Sequence, residues 1–200
     1  MQSLFGSINE ERKWEAGNRI SSLARVFKVK EKDILIAGGF ARDLALKLEP
    51  TDIDIYMFTP TVKEETFLTA FLYAAFDDVD EVVEKTAEKP GYVNGSIYKV
   101  YGVTFTDPDV LPLDIIFLQK NPLGLPELAI DSEDVKSVVL PFACNMSNAY
   151  FDDYNNVYVM DSFLQGALTK TFQYYPTMVD KYKEKMKLKF PEWEHKDITL

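Results

Sequence analysis

The chain has 200 residues, enough for one domain with a full core, and its 46% hydrophobic and 27% charged residues exclude a disordered or fibrous class. Its 32 acidic against 22 basic residues give a net charge of −10, which disfavours sequence-independent binding to DNA or RNA phosphates. The one cysteine, Cys144, leaves no intrachain disulfide, and no apolar run approaches the roughly 20 residues of a membrane span.

Residues 1–17 carry Glu10, Glu11, Arg12, Lys13 and Glu15 and no apolar stretch of the secretory kind, so a cytoplasmic protein is expected. No internal repeat or low-complexity tract interrupts the chain. Residues 7–28 space Ile8, Trp14, Ile20, Leu23, Val26 and Phe27 as a helix does, with Ser7 and Glu10 as a capping box. Residues 33–37 form a short apolar run that reads as a buried strand. Gly38 and Gly39 end it, and residues 40–48 read as a helix stopped before Pro50.

A second strand is expected over 53–58. A helix follows to about residue 76, with Thr61 as its cap ahead of Glu64 and Glu65. Residues 79–85, 96–105 and 111–118 read as further strands. Pro122, Gly124 and Pro126 mark a loop or helix entry. A hairpin over 148–160 turns around 152–156, and Asp161 or Ser162 caps a helix to about Lys170. A final lysine-rich helix spans 176–190. Helices lie between strands, with a hairpin late, and this order fits either α+β or α/β.

The chemistry concentrates between residues 34 and 58. Alternation along a strand sends Asp52 and Asp54 to one face, roughly 6–7 Å apart, while Ile53 and Ile55 enter the core. Two carboxylates so placed repel unless a cation lies between them, and Mg²⁺ takes such oxygen ligands while keeping positions open for phosphate. An isolated Asp-x-Asp is more often a solvent-facing turn, but this pair opens an apolar strand. Asp114 stands alone among Leu111, Leu113, Ile115, Ile116 and Phe117, where a buried carboxylate is costly without a partner or a metal. Its plain reading is one solvent-facing strand position.

Gly38 and Gly39 let backbone N–H groups approach phosphate, or simply make a tight turn. Arg42 could fork onto phosphate or pair with Asp43. His195 reads as part of a frayed terminus, and Cys144 as a buried small residue. Lys181, Lys183, Lys185, Lys187 and Lys189 read as a solvated helix end favoured by the macrodipole, or as a patch for RNA or an acidic partner.

Gly38-Gly39-Phe40-Ala41-Arg42-Asp43 followed by Asp52-Ile53-Asp54 resembles the head-domain signature of tRNA CCA-adding nucleotidyltransferases and bacterial poly(A) polymerases, of the DNA polymerase beta superfamily. Phe142-Ala143-Cys144-Asn145-Met146 resembles the family's Phe-Thr-Ile-Asn-Ala segment. Asp161 with Gly166 resembles the turn that follows it, so the resemblance covers about residues 33–170. Two features depart from the pattern. Leu140 and Pro141 stand where the family has Arg and Asp, and only about 30 residues follow Gly166, where family members carry long helical domains.

The resemblance implies a nucleotidyltransferase fold: α+β, with a small, mixed, mainly antiparallel sheet flanked by helices. The expected division is a head-like domain over 1–170 and a helical extension over 171–200. It implies Asp52, Asp54 and Asp114 as catalytic metal ligands for two Mg²⁺ ions, or Mn²⁺. Gly38, Gly39, Arg42, Asp43 and Asn145 are the expected nucleotide-binding residues. One ion activates the attacking hydroxyl and the other clamps the triphosphate. The expected activity is transfer of a nucleoside monophosphate from an NTP such as ATP to an RNA 3′ end, a protein side chain or a small molecule, releasing pyrophosphate. The alternative is a catalytically silent nucleotide-binding or protein-interaction module.

Overall fold

In the computed structural model the described residues are 10–59, 67–85, 97–118, 135–140, 142–151 and 156–199. The expected caps at Ser7 and Thr61, the loop at Pro122, Gly124 and Pro126, and the turn at Asp152 and Asp153 lie outside them.

Among the described residues, seven strands make the main sheet, in the order β3-β4-β5-β2-β1-β6-β7. They are β1 (Ile34–Ala37), β2 (Ile53–Phe58), β3 (Val79–Lys85), β4 (Ile97–Phe105), β5 (Leu113–Leu118), β6 (Ala149–Phe151) and β7 (Val157–Val159). Within this sheet, among the described residues, β2 and β5 pair in parallel and the other neighbouring pairs are antiparallel. The fold is therefore the mixed, mainly antiparallel α+β arrangement that the sequence led us to expect.

The helices among the described residues are α1 (Glu10–Phe27), α2 (Gly39–Ala45), α3 (Leu68–Ala75), α4 (Val135–Val139), α5 (Asp161–Thr169) and α6 (Asp180–Lys189). Helices α1 and α3 cover one face of the sheet. Ile20, Leu23 and Phe27 of α1 and Leu68 and Leu72 of α3 pack there with Ile34, Ile36, Ile53, Ile55, Leu113 and Ile115. Val135 and Val139 of α4 cover part of the other face with Leu35, Tyr56, Ile116 and Leu118. Burial on both faces explains why β1, β2 and β5 read as near-continuous apolar runs rather than alternating ones.

Helix α2 is shorter than expected. Lys47 takes a left-handed φ of 59°, and the Leu48 N–H donates to Asp43 O at 2.8 Å, closing a C-terminal cap that usually places glycine where Lys47 stands. Lys28 ends α1 the same way, at φ 54° with the Val29 N–H donating to Ala24 O. Neither stop carries the glycine signal that a sequence reader looks for.

The last 30 residues differ most from expectation. The expected lysine-rich helix is present as α6, but strands β8 (Thr171–Tyr174) and β9 (Glu194–Asp197) flank it and pair in parallel, so it forms part of a β-α-β unit. His195 is not frayed: it lies in β9, stacks on Phe172 with ring centroids 5.0 Å apart, and shares a 2.7 Å hydrogen bond with the Tyr174 hydroxyl. Phe172, Tyr174, Met186 and Phe190 join Ala41 and Ala45 of α2, Cys144 and Phe163 in one core, which docks the unit onto the back of α2.

Candidate active site

Two of the three expected metal-binding aspartates meet across the parallel strand pair. In the register of β2 and β5, Ile53 faces Leu113, Asp54 faces Asp114 and Ile55 faces Ile115. Adjacent strands run about 4.8 Å apart, so the two carboxylates stand side by side on one face. The register is fixed by burial, because a slip of one residue in either strand would drive that strand's carboxylate into the core beneath α1 and α3.

Gly38 brings the diglycine turn to the same place. Its φ of 80° and ψ of −125° lie where L side chains rarely fit, its N–H donates to Ala149 O at 2.9 Å, and it caps α2. A Cβ on Gly38 would lie 4.0 Å from Asp54 Oδ2 and 3.6 Å from Phe142 Cζ. The turn and the carboxylate pair are thus one site, walled by Phe142, which packs edge-on against Tyr56.

Asp52 stands just before β2, partly buried, and accepts a 3.2 Å hydrogen bond from Thr51 Oγ1. Among the described residues, no three His, Cys, Asp or Glu side chains form a group able to hold a metal ion. The structure therefore brings Asp54 and Asp114 together and does not add Asp52 to them.

Arg42 and Asp43 are both buried. Arg42 Nε donates to Asp43 Oδ1 at 2.9 Å and Nη1 to the Tyr182 hydroxyl at 3.1 Å, with Phe190 beneath the guanidinium. Lys189 Nζ donates to Asp43 Oδ2 at 2.7 Å. The pair thus ties α2 to α6, which realises the ion-pair reading of Arg42. Its Nη2 still lies 3.7 Å from the Cβ position of Gly39, beside the turn. Burial opposes the charge on Arg42, but the Tyr182 hydroxyl and the Asp43 carboxylate outweigh it and hold the guanidinium pKa above its ordinary value.

Asn145 is a buried connector. Its Oδ1 accepts from the Met146 and Gln173 N–H groups, each at 2.8 Å, and its Nδ2 donates to Thr171 O at 3.1 Å. Gly166 fits against it: a Cβ there would collide with Asn145 Nδ2 and stand 2.9 Å from Thr171 O. These contacts account for the Asn and Gly of the motif as packing. Cys144 is buried as expected, and burial pushes its thiol up to about 11.

Sequence reading missed Lys85. Its ammonium pairs with Asp114 Oδ1. It reaches Asp114 across β4 at Gly102, the residue opposite Asp114, where a Cβ would lie 2.5 Å from Lys85 Cε. The signals were present: Lys85 is the one cation in the acidic strand Val79–Lys85, and Gly102 interrupts a strand of aromatic and β-branched residues.

The carboxylates fit a divalent cation on the evidence of their own surroundings. They are in-register oxygen donors at a glycine cradle, and a cationic group already sits on one of them.

This sheet, with its parallel carboxylate-bearing pair and its diglycine turn, is a fold shared with solved structures of CCA-adding enzymes. A CCA-adding enzyme in complex with ATP superposes with a TM-score of 0.55 at 12% identity, over 93% of this chain and 40% of that one. The Thermotoga maritima CCA-adding enzyme complexed with tRNA gives 0.52 at 11% identity, over 90% and 38%. A CCA-adding enzyme in an apo form gives 0.51 at 12%, over 90% and 39%. The chain thus spans two fifths or less of the length of these enzymes. No protein-family model and no curated protein matches the sequence.

Proposed function

We propose that the chain is a metal-dependent nucleotidyltransferase that moves a nucleoside monophosphate from an NTP to an acceptor. The observation that carries this reading is the in-register pairing of Asp54 with Asp114 on one sheet face beside the Gly38 turn. Asp54 and Asp114 would hold the cation, and Asp52, one residue outside β2, stands apart from that pair and would have to turn towards it to serve as a third ligand. Mg²⁺ or Mn²⁺, when bound, supplies charge that offsets the negative charge on the reacting phosphates. Gly38 and Gly39 let the triphosphate approach backbone N–H groups, and Arg42 steadies the helix that follows them. In the transfer the acceptor oxygen bonds to the α-phosphorus as its proton leaves, and the bond from that phosphorus to the bridging oxygen breaks to release pyrophosphate. An RNA 3′ end, a protein side chain and a small molecule all satisfy this chemistry.

The test is incubation with each α-labelled NTP, Mg²⁺ or Mn²⁺, and either total RNA or cell lysate. Label on RNA, on protein or on a small molecule identifies the acceptor class. The second reading, a nucleotide-binding or interaction module without turnover, is favoured by Lys85, which pairs with one of the two carboxylates. NTP binding detected by thermal shift, with no label transferred to any acceptor, supports that second reading.

A further inference from the structure

We propose that Lys85 is a latch on the metal site: its ammonium holds Asp114 in the metal-free protein, and a divalent cation must displace it to bind Asp54 and Asp114. This rests on the functional reading above and adds a control built into the same sheet.

Three observations carry it. Lys85 pairs with the carboxylate that faces Asp54 in register, so its ammonium and a cation bridging that pair compete for the same oxygens. Its path crosses Gly102, where even a methyl group would meet the lysine stem, so the bare strand position is what lets the side chain lie there. Lys85 is also partly exposed, with 38% of its side-chain surface accessible, so it can swing into solvent without unfolding anything. A fixed, fully buried lysine would abolish metal binding; a partly exposed one at the end of β3 raises the cation concentration needed. Two like charges a few ångströms apart repel, so the ammonium and the metal do not share Asp114.

The experiment measures Mn²⁺ binding to the full chain from the loss of the free-ion electron paramagnetic resonance signal. It compares the unaltered protein with Lys85→Met, Gly102→Ala and Asp54→Asn, with metal-induced thermal stabilisation as a second readout. Lys85→Met removes the charge but keeps an apolar stem, whereas Gly102→Ala keeps the charge and pushes the stem aside. Both variants are expected to bind Mn²⁺ about fivefold more tightly, the size of effect a partly exposed ion pair supports. Both should also gain more thermal stability from Mn²⁺ than the unaltered protein does. Asp54→Asn is expected to weaken binding. If Lys85→Met and Gly102→Ala bind no more tightly while Asp54→Asn still weakens binding, the latch is refuted and the metal site stands. If the unaltered protein and Lys85→Met both leave the Mn²⁺ signal unchanged, the metal reading falls and the latch with it.

Discussion

Lys189 lies 146 residues after Asp43, yet its ammonium donates a 2.7 Å hydrogen bond to Asp43 Oδ2. The other oxygen of that carboxylate holds Arg42, and Arg42 in turn meets Tyr182, whose hydroxyl shares a 2.7 Å hydrogen bond with Ser147 Oγ. Through these contacts the C-terminal β-α-β unit fixes α2, the helix that starts at the diglycine turn. Lys189→Met leaves a buried carboxylate short of one charged donor, and should cost about 1.5–3 kcal/mol in urea unfolding. The cost should shrink in an Asp43→Asn background, because the pair shares one interaction.

Gly166→Ala tests how closely α5 packs on the Asn145 connector. The added methyl would face backbone at Thr171 O as well as Met146 Sδ, so the neighbours cannot simply rotate away. Overpacking of this kind costs about 1–3 kcal/mol, seen as a lowered thermal midpoint with no change in metal binding.

Asp54→Asn and Asp114→Asn should each lower labelled-nucleotide transfer by about a thousandfold, or ~4 kcal/mol of transition-state stabilisation. Circular dichroism should be unchanged, since each substitution is nearly isosteric. Near-normal transfer by either variant removes that residue from the metal site.

Cys144 predicts how stability depends on alkaline pH. Burial raises the folded thiol from its ordinary 9.0 to about 11, so the folded state keeps its proton longer than the unfolded chain does. The contribution is fully present below pH 9.0 and is lost as pH rises towards about 11, a swing on the order of 2 kcal/mol. Unfolding midpoints of the unaltered protein should therefore fall faster than those of Cys144→Ala across that window. Tyr182, pushed up from 10.0 to about 12 by burial, adds to the decline in both proteins from pH 10.0 upward. Parallel declines across pH 9–11 would mean that the thiol is not held neutral by the fold.

Much of the main sheet was legible in the sequence. Residues 53–58 and 79–85 are strands with the expected bounds, and β1 falls within the expected 33–37. Residues 34–37 and 53–58 are short apolar runs, where apolar content decides, and 79–85 is marked by its valines alone. The C-terminal strands were not legible. Glu194–Asp197 reads Glu-His-Lys-Asp, with no apolar residue to mark a strand, and it forms because its backbone pairs with Thr171–Tyr174 while His195 stacks on Phe172. The lysine array was read as a solvated helix end, or as a patch for RNA or an acidic partner. Lys183 instead bonds Asp197 and Lys189 bonds Asp43, which spacing along a helix cannot reveal.

What the sequence determined by itself was local: which runs become strands, where glycine frees the backbone, and which carboxylates sit in apolar runs that make them costly. Those properties depend on neighbours a few residues away. Only the tertiary structure decided that Asp54 faces Asp114, that Arg42 ties α2 to α6, and that Lys85 crosses a bare glycine to reach the site. Each of these joins segments distant in the chain, and its geometry is set by strand register and helix docking, which exist only once the core has packed.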